Sequence, residues 1–253
     1  MQTLVSTRLF SDSPIDGEAL DLLAERGFVA LEIHATPERL DLRSPTEAEL
    51  LRRHLEAEGF QAPWVYLAPS YLPHLGRELR LHELTATLHA LRAEALVLPR
   101  EAWIQAQGLP KISEIRSYVQ QAGARLLANA RSLDDAPAID SPELGLCLDV
   151  AFHPDAEAEA ERIEAVPRWR LQGVRVAHCR DDFRDLPGEE EACFLEDLWP
   201  KLAPSTLVYD VETGGGRAEI GHALDEIRAF HMGERRPPER RGGGVFWASL
   251  APG

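Results

Sequence analysis

Cysteine is scarce in this chain of 253 residues: Cys147, Cys179 and Cys193 are the whole supply. They cannot all pair with one another and no C-x-x-C occurs, so the thiols read as reduced, small apolar residues of a cytosolic protein. Long apolar runs are missing as well. No stretch reaches the roughly 18 residues of a membrane span, and the opening MQTLVSTRLF lacks the apolar region of a signal peptide, so the expectation is a soluble, cytoplasmic protein with no membrane partner. Basic charge is in deficit, with 27 Lys and Arg against 42 Asp and Glu for a net charge of −15. A surface that neutralises phosphates needs the opposite balance, so nucleic acid is not an expected partner. Glycine-rich phosphate loops are absent too. Neither G-x-G-x-x-G nor a Walker pattern occurs, and no nucleotide cofactor is expected.

What is present is an ordinary globular mixture, 44% hydrophobic and 27% charged, in a chain long enough to bury a full core. Short β-like runs alternate with amphipathic stretches. Strands are predicted over 4–10, 29–35, 63–68, 95–99, 124–130, 144–152, 173–179 and 206–212. Helices are predicted over 14–26, 44–58, 77–92, 112–121, 155–166, 191–202 and 218–231, with any helix in 131–143 short. Ser44-Pro45 opens the second helix and Gly59 closes it, the expected asymmetry of helix ends. Strict alternation predicts a parallel sheet with right-handed crossovers. Eight repeats at this length close most naturally into a (β/α)8 TIM barrel over residues 1–232, followed by an irregular tail, 233–253. An open doubly wound sheet is the alternative, but Phe10-Ser11-Asp12-Ser13-Pro14 stands where its glycine-rich loop belongs.

Period two within strands then sorts side chains between barrel interior and helix layer. It turns Glu32 and His34 inward on strand two, Cys147 and Asp149 on strand six, and Asp210 and Glu212 on strand eight. Ser6 and Arg8 face inward on strand one, and Val174, Val176 and His178 are taken as the inner set of strand seven. These polar groups fall late in their strands, where barrel active sites are built. Buried charge needs a partner, a ligand or a metal. Asp149, His178 and Glu212 form an O/N donor set suited to one divalent Zn, Mn, Fe or Co; a buried ion-pair network with Arg8 and Arg180 is the competing reading.

Ser6-Thr7-Arg8-Leu9-Phe10, Leu31-Glu32-Ile33-His34, Leu146-Cys147-Leu148-Asp149, His178-Cys179-Arg180-Asp181 and Tyr209-Asp210-Val211-Glu212, in this order, resemble the xylose isomerase-like TIM-barrel superfamily. That superfamily contains sugar and sugar-phosphate isomerases and epimerases, and endonuclease IV. The resemblance implies a metal held by a Glu on strand five, an Asp on strand six, a His on strand seven and a Glu on strand eight. Asp149, His178 and Glu212 match the last three. Strand five departs, with Ala128-Asn129 in place of the expected Glu-Asn pair. Strand six departs too, with Phe152 where a polar residue is usual and His153 one later.

The resemblance thus implies a sugar or sugar-phosphate isomerase or epimerase acting on a small polyhydroxy substrate, with Glu212, His34 and Glu32 as candidate catalytic groups. Arg8, Trp64, Tyr66, Asn129, His153, Arg180 and Asp210 are candidate substrate contacts. Two other readings stay open. One is a catalytically degenerate barrel that binds a small ligand or a protein partner. The other, weaker for want of metal ligands and basic surface, is an endonuclease IV-like phosphodiesterase. Val245-Phe246-Trp247 in the tail makes docking on another subunit, in a homo-oligomer, one further expectation.

Overall fold

Parallel strands joined through helices twist in one direction, and eight such units bring the last strand back beside the first. The computed structural model describes residues 2–10, 15–37, 40–104, 110–130, 144–150, 169–176, 178–180, 183–185, 206–213 and 216–232. Eight strands form a closed parallel barrel: β1 (Gln2–Ser6), β2 (Ala30–Ala35), β3 (Gln61–Leu67), β4 (Ala95–Leu98), β5 (Arg125–Ala130), β6 (Gly145–Val150), β7 (Leu171–Val176) and β10 (Thr206–Tyr209). Between β7 and β10, the short strands β8 (His178–Arg180) and β9 (Phe183–Asp185) make a separate antiparallel pair that periodicity did not suggest. Closure is made by β1 pairing with β10, from Gln2 opposite Thr206 to Val5 opposite Tyr209.

The helices among the described residues are α1 (Gly17–Ala24), α2 (Pro45–Ala57), α3 (Leu81–Leu91), α4 (Glu101–Ile104), α5 (Ile112–Gln121) and α6 (Arg217–His231). Ser44 caps α2 as expected, its hydroxyl accepting from the Glu47 N–H at 3.3 Å, and Pro45 stands at the first helical position. α5 keeps its expected bounds. Others move. β1 stops at Ser6 and Thr7–Phe10 winds into a 3-10 helix that buries Leu9 and Phe10. α3 begins at Leu81 rather than at residue 77, because Gly76 N–H donates to Leu79 C=O and holds that stretch in a turn. The helices expected over 155–166 and 191–202, and the tail 233–253, lie outside the described residues.

Side chains divide into two apolar clusters. The larger lies between barrel and helices and takes Leu31 and Ile33, Val65 and Leu67, and Leu207 and Tyr209 from alternate strand positions. The smaller fills the barrel with Leu4, Ala30, Trp64, Tyr66, Ala95, Val97, Leu127, Cys147 and Val208. One strand contradicts the sequence reading: on β7 it is Val174 and Val176 that face the helices, and Arg175 that points inward. The cause is Gly173. A Cβ there would sit 2.4 Å from the tip of the Trp64 indole, so the bare glycine backbone is what makes room for that ring inside the barrel. Apolar residues at 174 and 176 suit either face, which is why periodicity pointed the wrong way.

α1, α2 and α5 each end against a glycine in the left-handed region, Gly27 (φ 83°), Gly59 (φ 83°) and Gly123 (φ 82°), whereas α3 ends on Arg92 at φ 57°. A side chain in that region costs about 1–2 kcal/mol, and the exposed Arg92–Glu56 pair at 3.3 Å returns less than about 1 kcal/mol. Arg92→Gly, despite the added freedom of its unfolded chain, is therefore expected to stabilise the protein by about 0.5 kcal/mol. Urea melts of both proteins, showing a higher midpoint at unchanged slope, are the check; a lower midpoint would mean the arginine is worth more than its strain.

Candidate active site at the strand C-termini

Inside the barrel, above the apolar filling, the inward positions turn polar: Ser6 on β1, Glu32 and His34 on β2, Asn129 on β5, Asp149 on β6, Arg175 on β7 and Asp210 just past β10. At the centre lies Arg175, with no exposed surface. Its Nη1 donates to Glu32 Oε2 at 3.0 Å, its Nη2 lies 2.5 Å from Asp210 Oδ2, and its Nε lies 3.4 Å from Asp149 Oδ1. The guanidinium carbon stands 3.9 Å from the Tyr66 ring centroid, a cation–π contact away from water. One side chain thus ties β2, β3, β6, β7 and the end of β10 together.

Among the described residues, three carboxylates crowd one guanidinium in a dry interior. Glu32 absorbs the strain. Burial pushes its carboxyl from the usual 4.5 up to about 7; Arg175 opposes the shift, Asp210 and Asp149 add to it, and a Ser6 hydrogen bond opposes it. For Arg175, burial disfavours the charge, but Asp210, Glu32 and Asp149 outweigh it and hold the group well above its ordinary value. Burial likewise pushes the Cys147 thiol well up, so it remains a neutral, space-filling group.

Nearer the mouth, Asn129 Nδ2 donates to Asp149 Oδ1 at 2.7 Å. His34 is anchored by its backbone N–H, which donates to Thr7 Oγ1 at 2.8 Å, and its ring stacks on Tyr66 with centroids 5.2 Å apart. Arg8 and Glu212 form the outermost pair. Nε and Nη2 of Arg8 both reach Glu212 Oε2, at 2.8 and 2.6 Å, with each side chain about a quarter exposed (24% and 25%). Thr213 Oγ1 donates to Leu9 C=O at 3.1 Å, clasping the segment after β10 to the turn after β1.

The structure thus gathers Glu32, His34, Tyr66, Asn129, Asp149 and Asp210 into one interior cluster, with Arg8 and Glu212 at its rim. Trp64, Glu32 and Asp210 are wholly buried: Trp64 packs inside the barrel against Gly173, and the two carboxylates hold Arg175. Strand five differs from its sequence placement. Ala128 packs in the outer cluster, so the inward residue there is Asn129, and an amide, rather than an alanine, stands where the resemblance implies a carboxylate. His153 lies outside the described residues, as do the side chains of His178 and Arg180. Arg175 was missed by the sequence reading; the signal was a lone charge flanked by valines one position after a glycine.

The metal reading fares differently. Among the described residues no group of three His, Cys, Asp or Glu side chains could hold a metal ion. Asp149 is engaged by Asn129 and Arg175, and Glu212 by Arg8. The described donor set therefore does not fit a divalent ion as it stands.

No protein-family model matches the chain, and no curated protein resembles it closely enough in sequence to count as a relative. Solved structures do resemble it. A xylose isomerase-like TIM barrel/4-hydroxyphenylpyruvate dioxygenase fusion protein superposes at TM-score 0.63 with 17% identity over 93% of this chain; the chain spans 43% of that protein. The D-psicose 3-epimerase of Clostridium cellulolyticum H10 superposes at 0.59, with 12% identity over 89% of each chain. IolI, solved with a zinc atom, superposes at 0.60, with 11% identity over 90% of this chain and 97% of its own. The fold is a closed (β/α)8 TIM barrel, the architecture these solved structures share. At these identities the likeness extends to architecture.

The Glu32 shift has a signed consequence. A carboxyl whose pKa is raised on folding binds its proton more tightly in the native state, so its contribution is fully present below about 4.5 and is lost as pH rises through about 7. Glu32→Gln cannot titrate. The stability of the wild type minus that of Glu32→Gln is expected to fall by on the order of 3 kcal/mol between pH 4.5 and 8, measured by urea melts across that range. A difference independent of pH would show that Glu32 titrates normally.

Proposed function

We propose that the chain is a sugar or sugar-phosphate isomerase or epimerase acting on a small polyhydroxy substrate at the mouth of the barrel. The observation that carries this reading is the Arg8–Glu212 pair, a carboxylate oxygen held by two guanidinium nitrogens at the rim of a barrel whose interior turns His34, Asn129 and Asp149 inward. The solved D-psicose 3-epimerase and IolI structures support it by architecture. Isomerisation and epimerisation of a hydroxy-carbonyl compound share one step, removal of a proton from the carbon beside the carbonyl. That step needs a positioned base and a donor to the oxygen that gains charge.

In this chain Glu212 is the base. Arg8 holds Oε2 from two directions, which fixes the carboxylate without burying it. The proton leaves the substrate carbon for the Glu212 carboxylate and returns from it to the neighbouring carbon while the hydroxyl proton passes to the former carbonyl oxygen, which completes an isomerisation. An epimerisation instead takes its proton on the opposite face of the same carbon, from a second acid. The Asn129 amide, and the His34 ring held flat on Tyr66, supply polar groups for the substrate's oxygens. No step is assigned to a metal, since the described donors do not fit one.

A second reading, a non-catalytic barrel that binds a sugar-like ligand, is favoured by Asn129 in the place of a carboxylate, which leaves the mouth short of a second base. The two separate in deuterium oxide. NMR of a panel of aldoses, ketoses and their phosphates is expected to show C–H to C–D exchange with the wild type and a loss of about 10²–10⁴-fold in Glu212→Gln. Undiminished exchange in that variant would remove Glu212 as base, and binding without exchange would select the second reading.

A further inference from the structure

We infer that Arg175 is a resident cation beneath the mouth of this barrel, taking up by charge and contact the Asp149 carboxylate that a divalent metal would need, so that the mouth works without one. This rests on the reading of the mouth as the functional site. Arg175 contacts Glu32, Asp149 and Asp210 from β2, β6 and the end of β10, and is wholly buried while doing so. Asp149 Oδ1 is shared between the Arg175 guanidinium and the Asn129 amide. A divalent ion on that carboxylate would face a guanidinium only a few ångströms away. Unlike lysine or histidine, arginine cannot shed its proton to relieve the repulsion.

Asn129 completes the substitution. An amide nitrogen donating to Asp149 does what a second carboxylate could not, since it adds a bond to the oxygen without adding negative charge. Tyr66 closes one face of the guanidinium, and the Gly173 that admits Trp64 sets the strand register turning Arg175 inward. Arg175 is a positioning residue. It holds Asp149 in place from beneath the mouth and has no surface to offer a substrate.

The test reads metal directly. Protein purified without chelator is analysed for bound Mn, Fe, Co and Zn, then melted with EDTA and with each ion. The expected result is a metal content far below one equivalent and a melting temperature that moves by less than about 1 °C under every addition, since a ligand bound well above its Kd would raise it. Arg175→Ala, which uncovers three carboxylates, is expected to gain thermal stability on adding Mn²⁺ where the wild type gains none. Should that variant not fold, the wild-type measurements decide alone. About one equivalent of metal in the wild type, stripped by EDTA with a fall in melting temperature and absent from Asp149→Asn, would overturn the inference. The outcome is separable from the proposed activity: metal-free protein with no sugar exchange leaves Arg175 as resident cation and removes the isomerase reading, whereas metal-loaded protein with exchange does the reverse.

Discussion

Among the described residues, the buried carboxylates inside this barrel are arranged around the charge of Arg175. A guanidinium with no exposed surface holds three carboxylates from separate parts of the barrel, and removing it would leave uncompensated charge in a dry interior. The cluster is weak evidence for stability, because burying four ionisable groups costs much of what their attraction returns. Its value is geometric. Fixed contacts to β2, β6 and β10 hold the upper end of the barrel in one arrangement, and Glu32, with its carboxyl raised to about 7, lets the cluster adjust its charge with a proton rather than with a movement of the backbone.

The apolar layer beneath makes that arrangement reachable. Trp64 fills the barrel only because Gly173 opposite it has no side chain, and that contact sets which residues of β7 face in. Packing and electrostatics are linked here through one strand: Gly173 turns its bare face to the indole, and two positions later the same face delivers the guanidinium. Above the cluster, Arg8 and Glu212 repeat the pairing of one guanidinium with carboxylate at the rim, where partial exposure leaves room for a ligand. The proposed proton transfer and the proposed absence of a metal both follow from this layering, with exposed chemistry at the rim and closed charge balance below.

Two of the three metal donors suggested by the resemblance, Asp149 and Glu212, occupy inward or rim positions as expected, yet each is committed to an arginine. Arg8 pairs with Glu212 as an ion-pair network would require; the Arg180 side chain lies outside the described residues, and among them the buried partner of the carboxylates is Arg175. Apolar flanks at Val174 and Val176 concealed it. Periodicity reports that one face of a strand is apolar; it does not say which face meets the helices when both faces are buried.

From its sequence alone the chain declared eight alternating units, the capped helix after Ser44, the inward carboxylates Glu32, Asp149 and Asp210 and the inward His34, because strand and helix periods are local properties of the chain. The partners of those groups were decided only in three dimensions. That Arg175 crosses the barrel to Glu32, 143 positions away, that Asn129 rather than Ala128 faces in, and that Trp64 is sealed against Gly173 depend on strand register and on how the barrel closes. Register is set by side chains meeting across strands distant in the chain, so no single strand carries that information.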